Sequence, residues 1–220
     1  LPIWASNDPA NWLASPVSAG PSPGRANAVS RLVPLPVAVG VEAVQESTGS
    51  ILIRENQPVR IDVRFSSGGG GVAGVQVEYF KDETNATGEA RTRVAMTPVD
   101  GQPGWWRAVV PGQAVRSLVR YRIVADRGQG EETISPRPDD PYAWHAWFVT
   151  PVRSGTQPKY DVFVSSAALS ILSNNIAGSP RRIVSPDPPG LPRESWNATQ
   201  PGVLVRDGRV IDVRLRHHGS

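Results

Sequence analysis

At 220 residues the chain is long enough for one large domain or two small ones around a buried core. It has no cysteine, which excludes a disulfide framework and thiolate metal sites, and its 21 glycines and 22 prolines favour short strands and tight turns over long helices. The net charge is only +3, and the basic residues, all arginine apart from Lys81 and Lys159, are interspersed with Asp and Glu, which argues against a nucleic-acid footprint. No apolar run approaches the length of a membrane-spanning helix.

Residues 1–28 carry two tryptophans, few charges and many turn formers, and read as the end of a small β-rich domain that begins upstream. The chain opens at Leu1 and its one methionine is Met96, so a translational start, and with it any signal peptide, is expected before Leu1. Residues 29–40, "VSRLVPLPVAVG", form a semi-rigid linker in which Pro34 and Pro36 hold their neighbours extended.

From 41 to 150 the pattern is persistently β. In "ILIRENQPVRIDVRF" the apolar Val59, Ile61, Val63 and Phe65 alternate with Arg60, Asp62 and Arg64. "VAGVQVEYF" sets Val75, Val77 and Tyr79 against Gln76, Glu78 and Phe80, and "ARTRVAMTPV", "GWWRAVVP", "SLVRYRIVAD" and "YAWHAWFVT" supply further strands. Six to eight short strands with regular turn signals predict an antiparallel sandwich of immunoglobulin or fibronectin type, with the fibronectin version favoured because the Cys-Trp-Cys pin is missing.

After 150 the character changes. "YDVFVSSAALSILSNN" predicts a strand from Tyr160 to Val164 and a helix capped by Ser165, with Leu169, Leu172 and Ile176 on its apolar face. A proline-dense loop follows. "GVLVRDGRVIDVRLRHHGS" then predicts a hairpin turned at Asp207-Gly208, with Ile211, Val213 and Leu215 on one face and Asp212, Arg214 and Arg216 on the other.

Few residues carry chemistry. Gly68 to Gly71 lack the spacing and the following helix of a phosphate-cradling loop and read as a strand connection. Trp105 with Trp106, and Trp144 with Trp147, are of opposite parity, so in each pair one ring points to the core, which weakens a sugar-stacking platform. Asp126, Glu131, Glu132, Asp139 and Asp140 form a loose acidic set without calcium-loop spacing. His145 stands alone, and the adjacent His217 and His218 point apart in a strand, so neither a metal site nor a hydrolase triad is indicated. Arg214 and Arg216 share a face from which their forks suit a phosphate, the alternative being a solvated face with Asp212 as partner.

Three stretches resemble parts of a bacterial multidomain arrangement. "YDVFVSSAALSIL" resembles the opening strand and helix of the CotH family of spore-coat kinase-like proteins, with Ala168 where the family helix has Asp. The final stretch resembles the family's next hairpin at Asp207, Gly208, Val213, Arg214, Leu215, Arg216, Gly219 and Ser220, with "RHHGS" altered before the glycine. The first stretch resembles the end of a lamin-tail domain at Ser22, Pro23, Gly24 and Asn27, and "VAMTPVDGQPGWWRAVVPGQAVRSLVRYRIVAD" is similar to the sandwich found beside CotH-type domains.

The resemblance implies a mainly β chain. Residues 1–28 would end a lamin-tail domain, 29–40 form the linker, 41–150 a fibronectin/immunoglobulin-like sandwich, and 151–220 the first strand, helix and hairpin of a kinase-like α+β domain. It implies an extracellular or cell-surface protein whose complete CotH-type domain uses ATP and Mg²⁺. Within these residues it implies no catalytic or metal ligand and no bound cofactor, with Arg214 and Arg216 on the nucleotide side of the cleft. The sandwich would act as a spacer or bind a protein or a cell-wall polymer, and nucleic acid and a membrane segment are not implied. Two other readings stay open: an adhesion or scaffold protein with a degenerate CotH-like domain, and a carbohydrate-binding sandwich.

Overall fold

The computed structural model describes residues 38–66, 72–83, 89–126, 132–137, 144–155, 159–177 and 199–216. The lamin-tail stretch at 1–28, linker residues 29–37, Gly68 to Gly71, Glu131, Asp139, Asp140 and the terminal residues from His217 to Ser220 lie outside them. Among the described residues no helix is long and apolar enough to cross a membrane.

Two antiparallel sheets form a sandwich. The first contains β1 (Ala38–Gln45), β2 (Val59–Phe65), β6 (Trp105–Val110) and β5 (Thr97–Pro98), in that spatial order. The second contains β4 (Thr92–Ala95), β3 (Gly74–Lys81), β7 (Leu118–Asp126) and β8 (Glu132–Ser135), with β9 (His145–Phe148) also paired to β7. In chain order these strands correspond to A-B-E-D in one sheet and C′-C-F-G in the other, the arrangement of an immunoglobulin/fibronectin-type sandwich. The mainly β expectation and the sandwich are thus both present.

The alternation in β2 has the consequence read from it: Val59, Ile61 and Val63 are fully buried between the sheets, and Phe65 nearly so. Facing them from the second sheet are Val75, Val77, Val119, Tyr121, Ile123, Ala125 and Trp147. Each such side chain contributes on the order of 1.5–3 kcal/mol by leaving water.

Nine strands build the sandwich where six to eight are expected, because three are additional to the six runs quoted from the sequence. "RTRVAMTP" is not one strand: β4 pairs with β3, β5 pairs with β6, and only Met96 separates them. The chain changes sheets there, held by the Met96 amide donating to the Val75 carbonyl at 2.8 Å, while the Met96 side chain fills the core. The second addition is β8, which shares β7 with β9, and the third is β1. The first strand begins at Ala38, inside the expected linker, because Ala38 and Gly40 already pair with Phe65 and Arg64.

A parallel bridge between Ile53 and Val149 closes one side of the sandwich, with the Thr150 amide donating to the Ile53 carbonyl at 2.8 Å. One guanidinium nitrogen of Arg54 donates to the Thr150 and Pro151 carbonyls at 3.2 and 3.1 Å, fixing the direction in which the chain leaves.

Beyond it, β10 (Tyr160–Phe163), β11 (Gln200–Arg206) and β12 (Arg209–Leu215) form a third antiparallel sheet with β11 in the middle. The hairpin turns where expected: Arg206 faces Arg209, and Asp207 and Gly208 have φ of 49° and 78°, both positive as a type I′ turn requires. Helix α1 (Ser166–Ala177) starts from Ser165, whose Oγ accepts from the Ala168 amide at 3.1 Å. Among its described side chains the buried one is Ala168, whereas Leu169, expected on the apolar face, is 52% exposed, and Ile176 lies outside the described side chains.

Gly112, in the "PGQ" turn after β6, has no room for a side chain: a Cβ there would meet the backbone of Asn56 and lie 2.7 Å from the Gln57 nitrogen. Gly112→Ala is therefore expected to cost about 1–3 kcal/mol, as overpacking against immovable backbone does, read as a lower urea midpoint with an unchanged slope. An unchanged midpoint would show that the two loops are not packed this way.

Candidate functional site

The most chemically committed region is the outer face of the second sheet, where side chains of β3 and β7 point away from the sandwich core. The alternation placed Glu78 and Phe80 on the exposed side of β3, yet they are only 3% and 8% exposed. The register explains Glu78. It sits between Arg93 of β4 and Arg122 of β7, each directly opposite on the adjoining strand. Arg93 Nε donates to one carboxylate oxygen at 2.8 Å, Arg122 Nη2 contacts the other at 2.7 Å, and Arg91 reaches that second oxygen at 3.5 Å. Burial alone would raise the Glu78 carboxyl, but the Arg93 hydrogen bond and the charges of Arg122 and Arg93 outweigh it and hold the pKa below the usual range.

Phe80 is covered by Trp144, edge to face with ring centroids 4.8 Å apart. The guanidinium carbons of Arg122 and Arg91 lie 4.6 and 5.0 Å from the centre of the same indole. Trp144 is therefore engaged by two cations and a ring, while Trp147 is in the core at 2% exposure and Trp106 packs against that core. A sugar-stacking platform on Trp147 has no exposed face to use.

One step along β7, Arg120 joins the sandwich to the third sheet. Its Nε donates to Asp82 at 2.9 Å, and its two terminal nitrogens grip the Asp212 carboxylate at 2.9 and 2.5 Å. Burial opposes the charge on Arg120, but the bonds from both carboxylates outweigh it and its pKa is raised. Beside this fork Leu118, Phe148, Val203 and Val205 form a second buried cluster, with the Phe148 and Phe163 rings 5.2 Å apart. At the other end the hairpin turn presses on the sandwich, where a Cβ on Gly208 would lie 2.7 Å from the Ile51 carbonyl oxygen.

Of the two arginines singled out in the sequence, Arg214 lies at the margin of this joint and Arg216, just past β12, is exposed. Arg214 lines a cleft of about 430 Å³ with Asp82, Glu89, Arg120, Trp144 and Asp212. Its Nε donates to Thr199 Oγ1 at 2.7 Å, so Asp212, the partner expected for the terminal arginines, is instead taken by Arg120. No sequence signal marks Arg120 as the central cation, because its two partners lie 38 and 92 residues away. Among the described residues no group of three or more His, Cys, Asp or Glu is placed to hold a metal, and the part of the acidic set at Glu131, Asp139 and Asp140 lies outside them.

No family model matches the chain, and no curated protein matches it. Among solved structures, the third fibronectin III domain of the human KIAA0343 protein aligns with 62% of this chain and 98% of its own length, at 16% identity and a TM-score of 0.36. A likeness that slight carries no argument. The fold assignment rests on the strand order.

His145 is set opposite Tyr121 on β7, with their rings 5.2 Å apart and Ser135 Oγ 3.5 Å from its Nε2. Burial pushes its pKa down to about 4. An unfolded histidine binds its proton near pH 6.5 and the folded one does not until about pH 4, so stability falls as the pH drops through that window. The full loss is on the order of 3 kcal/mol, and His145→Phe is expected to remove that part of the slope in urea titrations between pH 7 and 4. A variant with the wild-type slope would place the titration elsewhere.

Proposed function

We propose that this chain is a non-catalytic module, a fibronectin-like sandwich that acts as a rigid spacer and holds the strand, helix and hairpin of residues 160–216 in one fixed pose. The observation that carries the reading is the joint: Arg120 forked onto Asp212, the Leu118, Phe148, Val203 and Val205 cluster, and the Gly208 turn seated on Ile51. A flexible tether would need none of these. Cutting one partner out of a buried ion pair is costly because the other is stranded, so the joint resists swinging.

The finer reading is that the module comes from an exported or cell-surface protein of the CotH kinase-like type, following the end of a lamin-tail domain. Supporting it are the quoted motifs and the succession of strand, Ser165-capped helix and Asp207-Gly208 hairpin, the order in which that family opens. In that family the acidic residues that hold Mg²⁺ follow the hairpin. The residues described here do not suit a nucleotide: Arg214 is bonded to Thr199, Arg120 is spent on two carboxylates, and Asp82, Glu89 and Asp212 outnumber the cations around the cleft. Arg214 and Arg216 take a nucleotide-side role only in the complete domain.

Native-state hydrogen exchange tests the spacer. If the joint is rigid, the β11 amides exchange with the same free energy as those of β7, and Arg120→Met lowers β11 protection by about 2–4 kcal/mol, the cost of stranding Asp82 and Asp212. Independent, low protection of β11 in the wild type would sink the reading. For the finer reading, calorimetry of these 220 residues with Mg-ATP is expected to show no tight binding. A micromolar complex would mean that the hairpin arginines already make a nucleotide site.

A further inference from the structure

We infer that the outer face of β3, β4 and β7, with Arg91 just before β4, is an oxyanion site, built from Arg91, Arg93 and Arg122, that takes a sulfate or phosphate ester. Among the described residues the sandwich buries two carboxylates, Asp62 and Glu78, and they differ in how well their arginines are matched. At Asp62, on the first sheet, Arg107 donates from two nitrogens at 2.6 and 3.3 Å and Arg60 from one at 2.9 Å, so two cations are bound well.

At Glu78 three cations meet one carboxylate and are bound less well. Arg91 touches it only at 3.5 Å, and the buried Nε of Arg122 has no acceptor among the described residues. The next carboxylate, Glu132, stands 4.0 Å from Arg93 and is half exposed. Each guanidinium offers five N–H donors. The described contacts use a minority of them, so unused donors remain around Glu78 and Glu132.

The surplus is also held in place. Arg91 and Arg122 are stacked on Trp144, and Arg93 and Arg122 are tied to Glu78 from both sides. Guanidiniums fixed this way have already lost much of the rotamer freedom that binding would otherwise cost. Arg91, just before the edge strand β4, and Arg93 within it are about half exposed and both contact Glu78, which sets them on one side of the sheet roughly 7 Å apart along the chain, a spacing an ester oxyanion bridges with one fork on each side. Arginine rather than lysine at all three positions suits that planar, bidentate recognition.

Chromatography of the full chain on heparin-agarose and on phosphocellulose tests the site and separates its two sources, sulfate ester and phosphate ester. The wild type is expected to be retained on at least one column at moderate salt. Arg91→Gln with Arg93→Gln should weaken retention there by about tenfold, the loss of a charge-assisted fork. Arg206→Gln with Arg209→Gln removes the same net charge at the third sheet and should weaken it far less. Glu78→Gln, which releases all three arginines, should elute later than the wild type. Failure of both columns to retain the protein, or equal losses in the two charge-matched doubles, would overturn the site. Arg91→Gln with Arg93→Gln leaves Arg120 and the joint with the third sheet untouched, so its outcome is independent of the exchange experiment on β11.

Discussion

Strand β7 must be covered on both of its faces, and the rest of the molecule is arranged to do it. It pairs with β3 on one side and with β8 and β9 in succession on the other. Its inner residues Val119, Tyr121, Ile123 and Ala125 face the first sheet, as any sandwich strand's would. On the outer face, however, Leu118 and Val124 are also buried, and between them stand Arg120 and Arg122, both mostly removed from water. A solvated outer face would need nothing more. An outer face bearing Leu118 and, beside it on β9, Phe148 needs a cover, and the third sheet supplies it with Val203 and Val205.

That cover has an electrostatic condition. Arg120 lies under the third sheet and would be an uncompensated buried charge if the sheet brought only apolar groups. Asp212 is the residue that meets the condition, arriving on β12 directly above it, while Asp82 meets it from the end of β3. The alternation of β12 therefore has a purpose different from that of a surface strand. Val210 and Asp212 face the sandwich, one adding to the apolar cluster and the other to the fork, and Ile211 faces away, 46% exposed. A ladder of alternating charge that looks solvated in one dimension is half interface in three.

The same limitation decides what the amino-acid order reveals. Period-two runs made β2 legible, and an Asp-Gly pair between alternating strands located the hairpin, because both signals are local and concern backbone geometry. Ser165 was readable as a cap for the same reason. Glu78, Asp62 and Arg120 were not readable, because their burial depends on partners brought in by register: Arg93 lies 15 residues from Glu78, Arg107 lies 45 from Asp62, and Asp212 lies 92 from Arg120. Leu169 failed for a related reason. Helical periodicity gives the spacing of an apolar face but not which side of it becomes covered, and here Ala168 is covered and Leu169 is left outside.

These paired ions are poor explanations of stability, and that bears on why they persist. A buried ion pair rarely outperforms a well-packed apolar substitute, since desolvation consumes most of the attraction. What an ion pair does supply is register. Shifting β4 by one residue relative to β3 would turn Arg93 away from Glu78, and shifting the third sheet would strand both Arg120 and Asp212. Apolar cover over Leu118 and Phe148 alone would tolerate several sliding poses of similar energy, because dispersion contacts are short-ranged and weakly directional. The fork on Asp212 accepts one. On this argument the arginines of the outer face are specificity devices: Arg120 selects a single pose for the sheet it holds, and the three around Glu78 fix the edge strand β4 in register while leaving part of their charge turned toward solvent.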